Sequence, residues 1–279
     1  AVRKSAEDAC IPNLLPSSIR VIRGLWPYRN PAAGISEMLE ATGAETALSP
    51  YGGNFVQSTV SQSALDILAG KHNLIVMTGA ECGQTQARAA KQNVDLEWQT
   101  FDSEPDLHIG SEVEMRHEAE KAIRLGRPIQ VYPIFETAIR HARGLSVQAH
   151  IEQVSNLWAG FSAVAATNPN AWIQEAKTAE EIRTPSAVNR PVSYPYPKFM
   201  NSNNNVDQGA AIILCSVEKA RQLGIDPSRW VYPWCGTDAH DHYFVSNRAN
   251  LHSSPAIRIA GARCLEMAQL SVSDIDRVD

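Results

Sequence analysis

Residues 49–82 read SPYGGNFVQSTVSQSALDILAGKHNLIVMTGAEC. The pair Gly52–Gly53 makes a tight turn. From about Phe55 to Ala69, Val56, Val60, Ala64, Ile67 and Leu68 recur at helical spacing. That spacing predicts a helix with these residues gathered on one apolar face. Gly70 stops the helix. Leu74-Ile75-Val76-Met77 then runs unbroken, as a strand buried on both faces does. A glycine turn feeding a helix N-terminus is a place to cradle an anion or a polarised carbonyl, because free N–H groups and the helix dipole point there. Any α/β protein has such a loop, so the pattern marks a place for chemistry without naming one.

Working outward, Ala1–Asp8 reads as the tail of a helix and Arg20–Trp26 as a strand. Pro31–Thr42 reads as a short helix with Ile35, Met38 and Leu39 on one face and Gly43 as its stop. Glu45–Leu48 is a short strand entering the central loop. Strand, helix, strand, glycine loop, helix, strand is the order of an α/β layer with a mainly parallel sheet. Gln84–Gln92 is helical. Asp102–Ser111 is polar and acidic and suits a boundary. Glu112–Gly126 is expected as a charged amphipathic helix, and 128–179 carries apolar helical patterns. Ile182–Lys198, with four prolines, is expected as an extended connector. Val206–Cys215 is a strand, Ser216 an N-cap for Val217–Leu223, and Gly224 the close of that helix. Trp230–Trp234 is expected as a strand and Ser254–Ala268 as a helix with Pro255 in its first turn. Ser271–Asp279 is expected to approach another strand. These patterns divide the chain into 1–101, a mostly helical insertion over 102–198, and 199–279.

The 279 residues are 44% hydrophobic and 20% charged, with a net charge of −5. That is an ordinary globular composition. The negative balance argues against a broad nucleic-acid-binding surface. No apolar run approaches the ~20 residues of a transmembrane helix, and no signal peptide is visible at the start. The five cysteines, Cys10, Cys82, Cys215, Cys235 and Cys264, are scattered and form no CxxC pair. They fit reduced thiols in a cytoplasmic protein better than a disulfide framework or a zinc site. Cys82 and Cys215 end apolar runs and are expected as buried packing residues. The first residue is Ala, which suggests a processed start or a fragment.

The densest polar cluster is Asp238, His240, Asp241 and His242. His and Asp at this spacing can bind a divalent metal, but further ligands would have to come from elsewhere, and a hydrogen-bonded loop is the expected state. There is no GxSxG elbow and no Walker loop. His108, His117, His141 and His252 read as surface or helix-end residues, and His150 as a satisfied core histidine. Asn201 and Asn203–Asn205 form a turn or a ligand-facing loop.

Three stretches carry a resemblance. GKHNLIVMTGAE (70–81) resembles the strand after the first catalytic helix of the thiolase superfamily. VDQGAAIILCSVEKARQLGI (206–225) resembles the strand and helix that open the second thiolase half. SPAIRIAGARCLEMAQLSVSDIDRVD (254–279) resembles the segment before the family's catalytic Asn or His motif. The nearest subgroup is the acetyl-CoA acetyltransferase-like, sterol-carrier-type thiolase-like proteins. The resemblance implies a layered αβαβα fold of two related halves, incomplete in this chain, with residues 102–198 as the loop domain. It also implies acyl-CoA or CoA as substrate with no separate cofactor, acyl transfer by Claisen condensation or thiolysis in lipid or steroid metabolism, and a homo-oligomer or a partner subunit.

In that family a cysteine at the N-terminus of the central helix takes the acyl group. Counting back from GAE (79–81) and Gly70, that position falls on Gly53, between Gly52 and Asn54. A glycine has no side chain to acylate, so no catalytic residue is assigned. The same count places Asn204 where thiolases often carry a serine near pantetheine. Gly52, Gly53, Asn54 and Asn204 are thus the expected substrate-binding positions, with no metal ligand among them. The family's His motif, Asn/His motif and second Cys would lie beyond residue 279, and its central first strand before Ala1. Three readings follow: a thiolase-like acyltransferase, with an aldol-type acyl-CoA lyase lacking covalent catalysis as a variant; a non-catalytic acyl-CoA-binding or scaffold subunit; and a metal-dependent protein.

Overall fold

Apolar residues alternate with polar ones along the first strand, and each set finds a different partner. The structure, a computed structural model, describes residues 1–278. Its strands are β1 (Ser18–Arg23), β2 (Glu45–Tyr51), β3 (Leu74–Cys82), β4 (Leu107–His108), β5 (Pro191–Ser193), β6 (Tyr196–Pro197) and β7 (Asp207–Cys215). Its helices are α1 (Val2–Asp8), α2 (Pro31–Met38), α3 (Phe55–Leu68), α4 (Gly83–Gln92), α5 (Glu118–Ala122), α6 (Pro128–Ala142), α7 (Val147–Ala166), α8 (Ala179–Arg183), α9 (Val217–Gln222) and α10 (Pro255–Ala268). The sheet order is β4-β2-β1-β3-β7. All pairs of this five-stranded sheet are parallel except β3 with β7, which run antiparallel from Leu74↔Cys215 to Cys82↔Asp207. The sheet is mainly parallel with helices packed on it, the α/β layer expected from the order of the elements.

The chain divides into two compact units. The first holds 1–113, 204–239 and the residues from Ile259 onward; the second holds 114–203 and 240–258.

In the first unit, Ile19 and Val21 of β1 join Leu48 of β2 and Ala32 of α2, with Ile35 and Leu39 packed against them. Leu74 and Val76 of β3 join Ala6 of α1, Ile11 and Leu14, flanked by Ile213, Cys215, Leu223 and Ile225. The parallel register pairs Ile19 with Val76, so both clusters lie on one face of the sheet. The other face carries Ser18 and Arg20, and Arg20 meets α3.

That contact corrects the expected orientation of α3. The buried residues of the helix are Thr59, Ser63 and Asp66, while Val56 and Leu68 are exposed, Leu68 by 82%. Arg20 is fully buried. Its Nη1 donates to Ser63 Oγ at 3.1 Å and its Nη2 to Asp66 Oδ2 at 2.6 Å. A charge buried in the central strand costs several kcal/mol unless it is paired, so the helix turns its carboxylate inward and leaves Val56, Leu65 and Leu68 outward.

Further expectations are corrected. The strand expected at Arg20–Trp26 is β1, which ends at Arg23. The sheet's centre is β1 itself, paired on both sides, rather than a strand preceding Ala1. Residues 107–108, in the expected boundary segment, add a strand beside β2. The helix expected over Glu112–Gly126 shrinks to α5, because His117 caps it with Glu120 and Arg124 takes a left-handed φ of 59°. Trp230–Trp234 is no strand: Pro233 removes a donor, and Val231, Tyr232 and Trp234 stay exposed. Val272–Asp274 is a 3-10 turn, and Asp279 lies outside the described residues. Within 182–198, Pro191–Ser193 and Tyr196–Pro197 pair as a short hairpin.

The second unit is mostly helical. Its α6 and α7 carry Glu136 and His150, and the buried His150 Nε2 pairs with Glu136 Oε1. Tyr196 donates its hydroxyl to the other oxygen of Glu136. Burial and this acceptor push the Tyr196 phenol well above its ordinary value.

Candidate functional site

The turn between β2 and α3 is built so that only glycine fits its first position. Gly52 has φ +123°, and a Cβ there would strike the side-chain oxygen of Asn54. Gly52 N–H donates to Arg23 O at 3.4 Å, which ties the turn to the end of β1. Phe55 N–H returns to Gly52 O, and Val56 N–H to Gly53 O, both at 3.3 Å. The N–H groups of Gly53 and Asn54 have no bonded partner among the described residues. Asn54 sits at the helix entry with helical dihedrals, and its side chain caps nothing. Gly53 differs from Gly52: its φ is not left-handed, and a Cβ built on it meets nothing within 4 Å.

The surroundings of this turn are polar and ordered. Glu112 accepts from Arg23 Nη1 at 2.8 Å and from Tyr51 N–H at 3.3 Å. Gly110 brings the chain close enough that a Cβ there would touch Phe55 at 3.3 Å. One turn into α3, Ser58 Oγ donates to Asp238 Oδ1 at 2.8 Å. Behind the helix, burial pushes the Asp66 carboxyl up, but hydrogen bonds from Arg20, Lys71 and Gln62 outweigh it and hold the group below the usual carboxylate range.

Asn204 lies elsewhere, beside the start of α4. Its carbonyl oxygen is 2.5 Å from where a Cβ on Gly83 would sit, so Gly83 permits the approach. Three residues on, Asp207 accepts from Gln84 N–H at 3.1 Å, Thr85 N–H at 3.0 Å and Thr85 Oγ1 at 2.7 Å. The Thr85 hydroxyl above all holds the Asp207 carboxyl low. Gly52, Gly53 and Asn54 therefore share one turn, and Asn204 belongs to the mouth of a different helix. Cys82, between them in sequence, is half-buried, and burial pushes its thiol up. Cys215 packs against the apolar cluster, and burial raises it too.

Asp238, His240, Asp241 and His242 do not assemble into a ligand set. Asp241 caps α10, accepting from Ser254 Oγ and from Ala256 N–H at 3.2 Å. Among the described residues no group of three His, Cys, Asp or Glu side chains is placed to hold a metal.

Sequence reasoning missed one feature. A cavity of about 450 Å³ lies against the sheet face opposite α3, lined by Val21, Trp26, Tyr28, Ile35, Trp98 and Phe101, with Glu81 and Cys82. The aromatic pairs in 26–28 and 98–101 were the available signal, but nothing in their spacing brings them together.

No protein-family model matches the sequence, and no curated protein matches it. Solved structures do. A monomeric SCP2-thiolase like protein type 1 from Mycobacterium smegmatis matches with TM-score 0.79 and 25% identity, over 100% of this chain and 54% of its own. An Ltp2-ChsH2(DUF35) aldolase matches with TM-score 0.67 and 17% identity, over 99% of this chain and 64% of its own. A human mitochondrial 3-ketoacyl-CoA thiolase in complex with CoA reaches TM-score 0.48 and 13% identity, over 99% of this chain and 70% of its own, a likeness too slight to bear on function. The chain spans about half the length of the first of these structures. Among the described residues no helix is long and apolar enough to cross a membrane.

Proposed function

The chain belongs to the thiolase superfamily, among its sterol-carrier-type thiolase-like proteins, and we propose that it forms part of an acyl-CoA-handling protein that works without a covalent nucleophile. The observation that carries this reading is residue 53. The position expected to hold the acylated cysteine is a glycine, at a helix mouth with two unbonded N–H groups beside it. Such donors stabilise negative charge on a thioester oxygen, and they do so without any acyl-enzyme. The fitting reaction is aldol-type cleavage of a β-hydroxyacyl-CoA. A base takes the hydroxyl proton, the Cα–Cβ bond breaks, and the electron pair moves into the thioester as an enolate, which is then protonated. The products are a carbonyl compound and a shorter acyl-CoA.

The aldolase name borne by one fold neighbour supports this choice over acyl transfer. The acyltransferase reading, with Claisen condensation or thiolysis in lipid or steroid metabolism, needs a thiol that position 53 does not supply. Within this proposal Gly53 and Asn54 face the thioester, Gly52 shapes their turn, and Asn204 hydrogen-bonds the pantetheine. A partner subunit is favoured over a homo-oligomer, because one neighbour is described as monomeric and another carries two protein names. A cytoplasmic setting completes the proposal.

The test uses the full protein that carries this chain. It is mixed in turn with a β-hydroxyacyl-CoA, and with a β-ketoacyl-CoA plus free CoA. Release of a carbonyl compound from the first supports the lyase. Thiolysis of the second, with an acylated protein seen by mass, overturns it. Binding of acyl-CoA without turnover of either also overturns the lyase and leaves the non-catalytic acyl-CoA-binding reading.

A further inference from the structure

Two cysteines lie side by side outside the site described above. Cys235 Sγ lies 3.2 Å from Cys264 Sγ, and it donates to the Cys264 carbonyl at 3.3 Å. Both residues belong to the first unit and are half-buried. Two sulfurs at this separation need to approach by about one ångström more to reach the ~2.05 Å of a disulfide bond. The extended segment around Cys235 is already laid along α10: Thr237 Oγ1 donates to Ala260 O at 2.9 Å, one turn before Cys264.

The same segment touches α3 as well. Gly236 sits so close to Ser61 that a Cβ would strike its hydroxyl, and Asp238 accepts from Ser58 at 2.8 Å. Residues 235–238 thus link α10 to the first turns of the helix whose mouth is Gly52–Asn54.

We propose that Cys235 and Cys264 form a reversible disulfide under peroxide, a modification site that fixes residues 235–238 against α10 and stiffens the start of α3. One thiolate attacks a peroxide oxygen, the O–O bond breaks, and a sulfenic acid forms with release of water. The second sulfur then attacks the sulfenic sulfur, the S–O bond breaks, and a second water leaves. Two thiols give up two protons and two electrons, and one hydrogen peroxide becomes two waters. A dithiol or a low-molecular-weight thiol reverses the step by exchange. The hydrogen bond shared with Cys264, with burial behind it, pushes the Cys235 thiol up.

This inference does not depend on the acyl-CoA reading. Its test is a peptide map of the full protein, purified reduced, treated with dilute hydrogen peroxide, alkylated and digested with trypsin. The expected product joins the peptide Trp230–Arg248 to the peptide Cys264–Arg277, with a mass about 2 Da below their sum, and it disappears on adding a thiol. Cys235→Ser abolishes it and leaves the Cys264 peptide unlinked. Amide exchange in 235–239 and in the first two turns of α3 slows several-fold on oxidation of the wild type and not of the variant. If Cys235 and Cys264 are alkylated as fully after peroxide as before, while the exposed Cys10 is oxidised, the proposal fails. It fails equally if either cysteine links instead to Cys10, Cys82 or Cys215. A disulfide that forms without slowing exchange in α3 keeps the modification site and overturns its effect on the helix.

Discussion

The two faces of the sheet are held by opposite means. On one, Ile19, Val21, Leu74 and Val76 meet α1, α2 and the segment around α9 through apolar contact. On the other, β1 holds α3 through Arg20, Ser63 and Asp66, with Lys71 reaching Asp66 from the exposed end at 3.0 Å. Apolar packing tolerates a change of shape and loses energy in proportion to what is removed. A buried ion pair is closer to all or nothing, because removing one partner strands the other charge. The helix that opens at the candidate site is thus fixed by orientation-specific bonds, on the face where position matters most.

The largest expected effect comes from splitting that pair. Arg20→Met leaves the buried Asp66 carboxylate with only Lys71 and Gln62 as partners and should cost about 3 kcal/mol in urea unfolding. The double variant Arg20→Met with Asp66→Leu should recover a large part of the loss, because neither charge is then buried alone. If the single and double variants lose equally, Arg20 acts by packing alone and the contrast between the faces disappears. On the apolar face, Leu74→Ala should cost about 2–5 kcal/mol, and no second substitution on that face should restore it.

Legibility in the sequence followed the same division. The apolar strand Leu74–Met77, the helix limits at Gly70 and Gly224, and the cap at Ser216 were readable, because each rests on a local pattern. The inward face of α3 was not. Val56, Val60 and Leu68 recur at helical spacing and point to burial, yet the deciding residue is Arg20, which lies 46 positions before Asp66. An arginine in a strand normally reads as exposed, and only the fold reveals its partner. At the site, the turn Gly52–Asn54 was readable from its glycines, and the aromatic cavity was not, because its walls come from 21–35, 78–86 and 98–102.

Acid should separate the faces without any mutation. The folded state holds the Asp66 carboxyl below its ordinary value. A group depressed in this way stabilises the fold above its unfolded pKa, and the contribution is lost as pH falls through the folded value. Unfolding midpoints should therefore be level near neutrality and decline from about pH 5 downward. In Arg20→Met the Asp66 carboxyl loses its main lowering partner against the burial that raises it, so its share of that decline should shrink or reverse, whereas in Leu74→Ala the profile should keep its shape at a lower level. A profile for Arg20→Met parallel to wild type would show that Asp66 does not respond to Arg20. A smaller local effect is expected at α9, where Ser216 Oγ accepts from Lys219 N–H at 3.1 Å. Ser216→Ala should cost about 1 kcal/mol.

The smallest expected change in stability is the most informative for chemistry. Gly53→Cys adds a side chain where a Cβ meets nothing within 4 Å and the backbone is not left-handed. It also replaces glycine at a helix entry, where the penalty is a few tenths of a kcal/mol. The midpoint should thus stay within about 0.5 kcal/mol of wild type. Gly52→Cys, at φ +123° and against Asn54, should lose clearly more. A thiol at position 53 stands beside free N–H groups at the positive end of α3, which favours the thiolate. Its alkylation rate at neutral pH should exceed that of Cys10, the exposed cysteine of the wild type. In Arg20→Met, with Gly53→Cys present, the rate should fall toward the Cys10 value if the ion pair sets the helix in place. An unchanged rate would mean that the turn is self-supporting and that the polar face stabilises the fold without positioning the site.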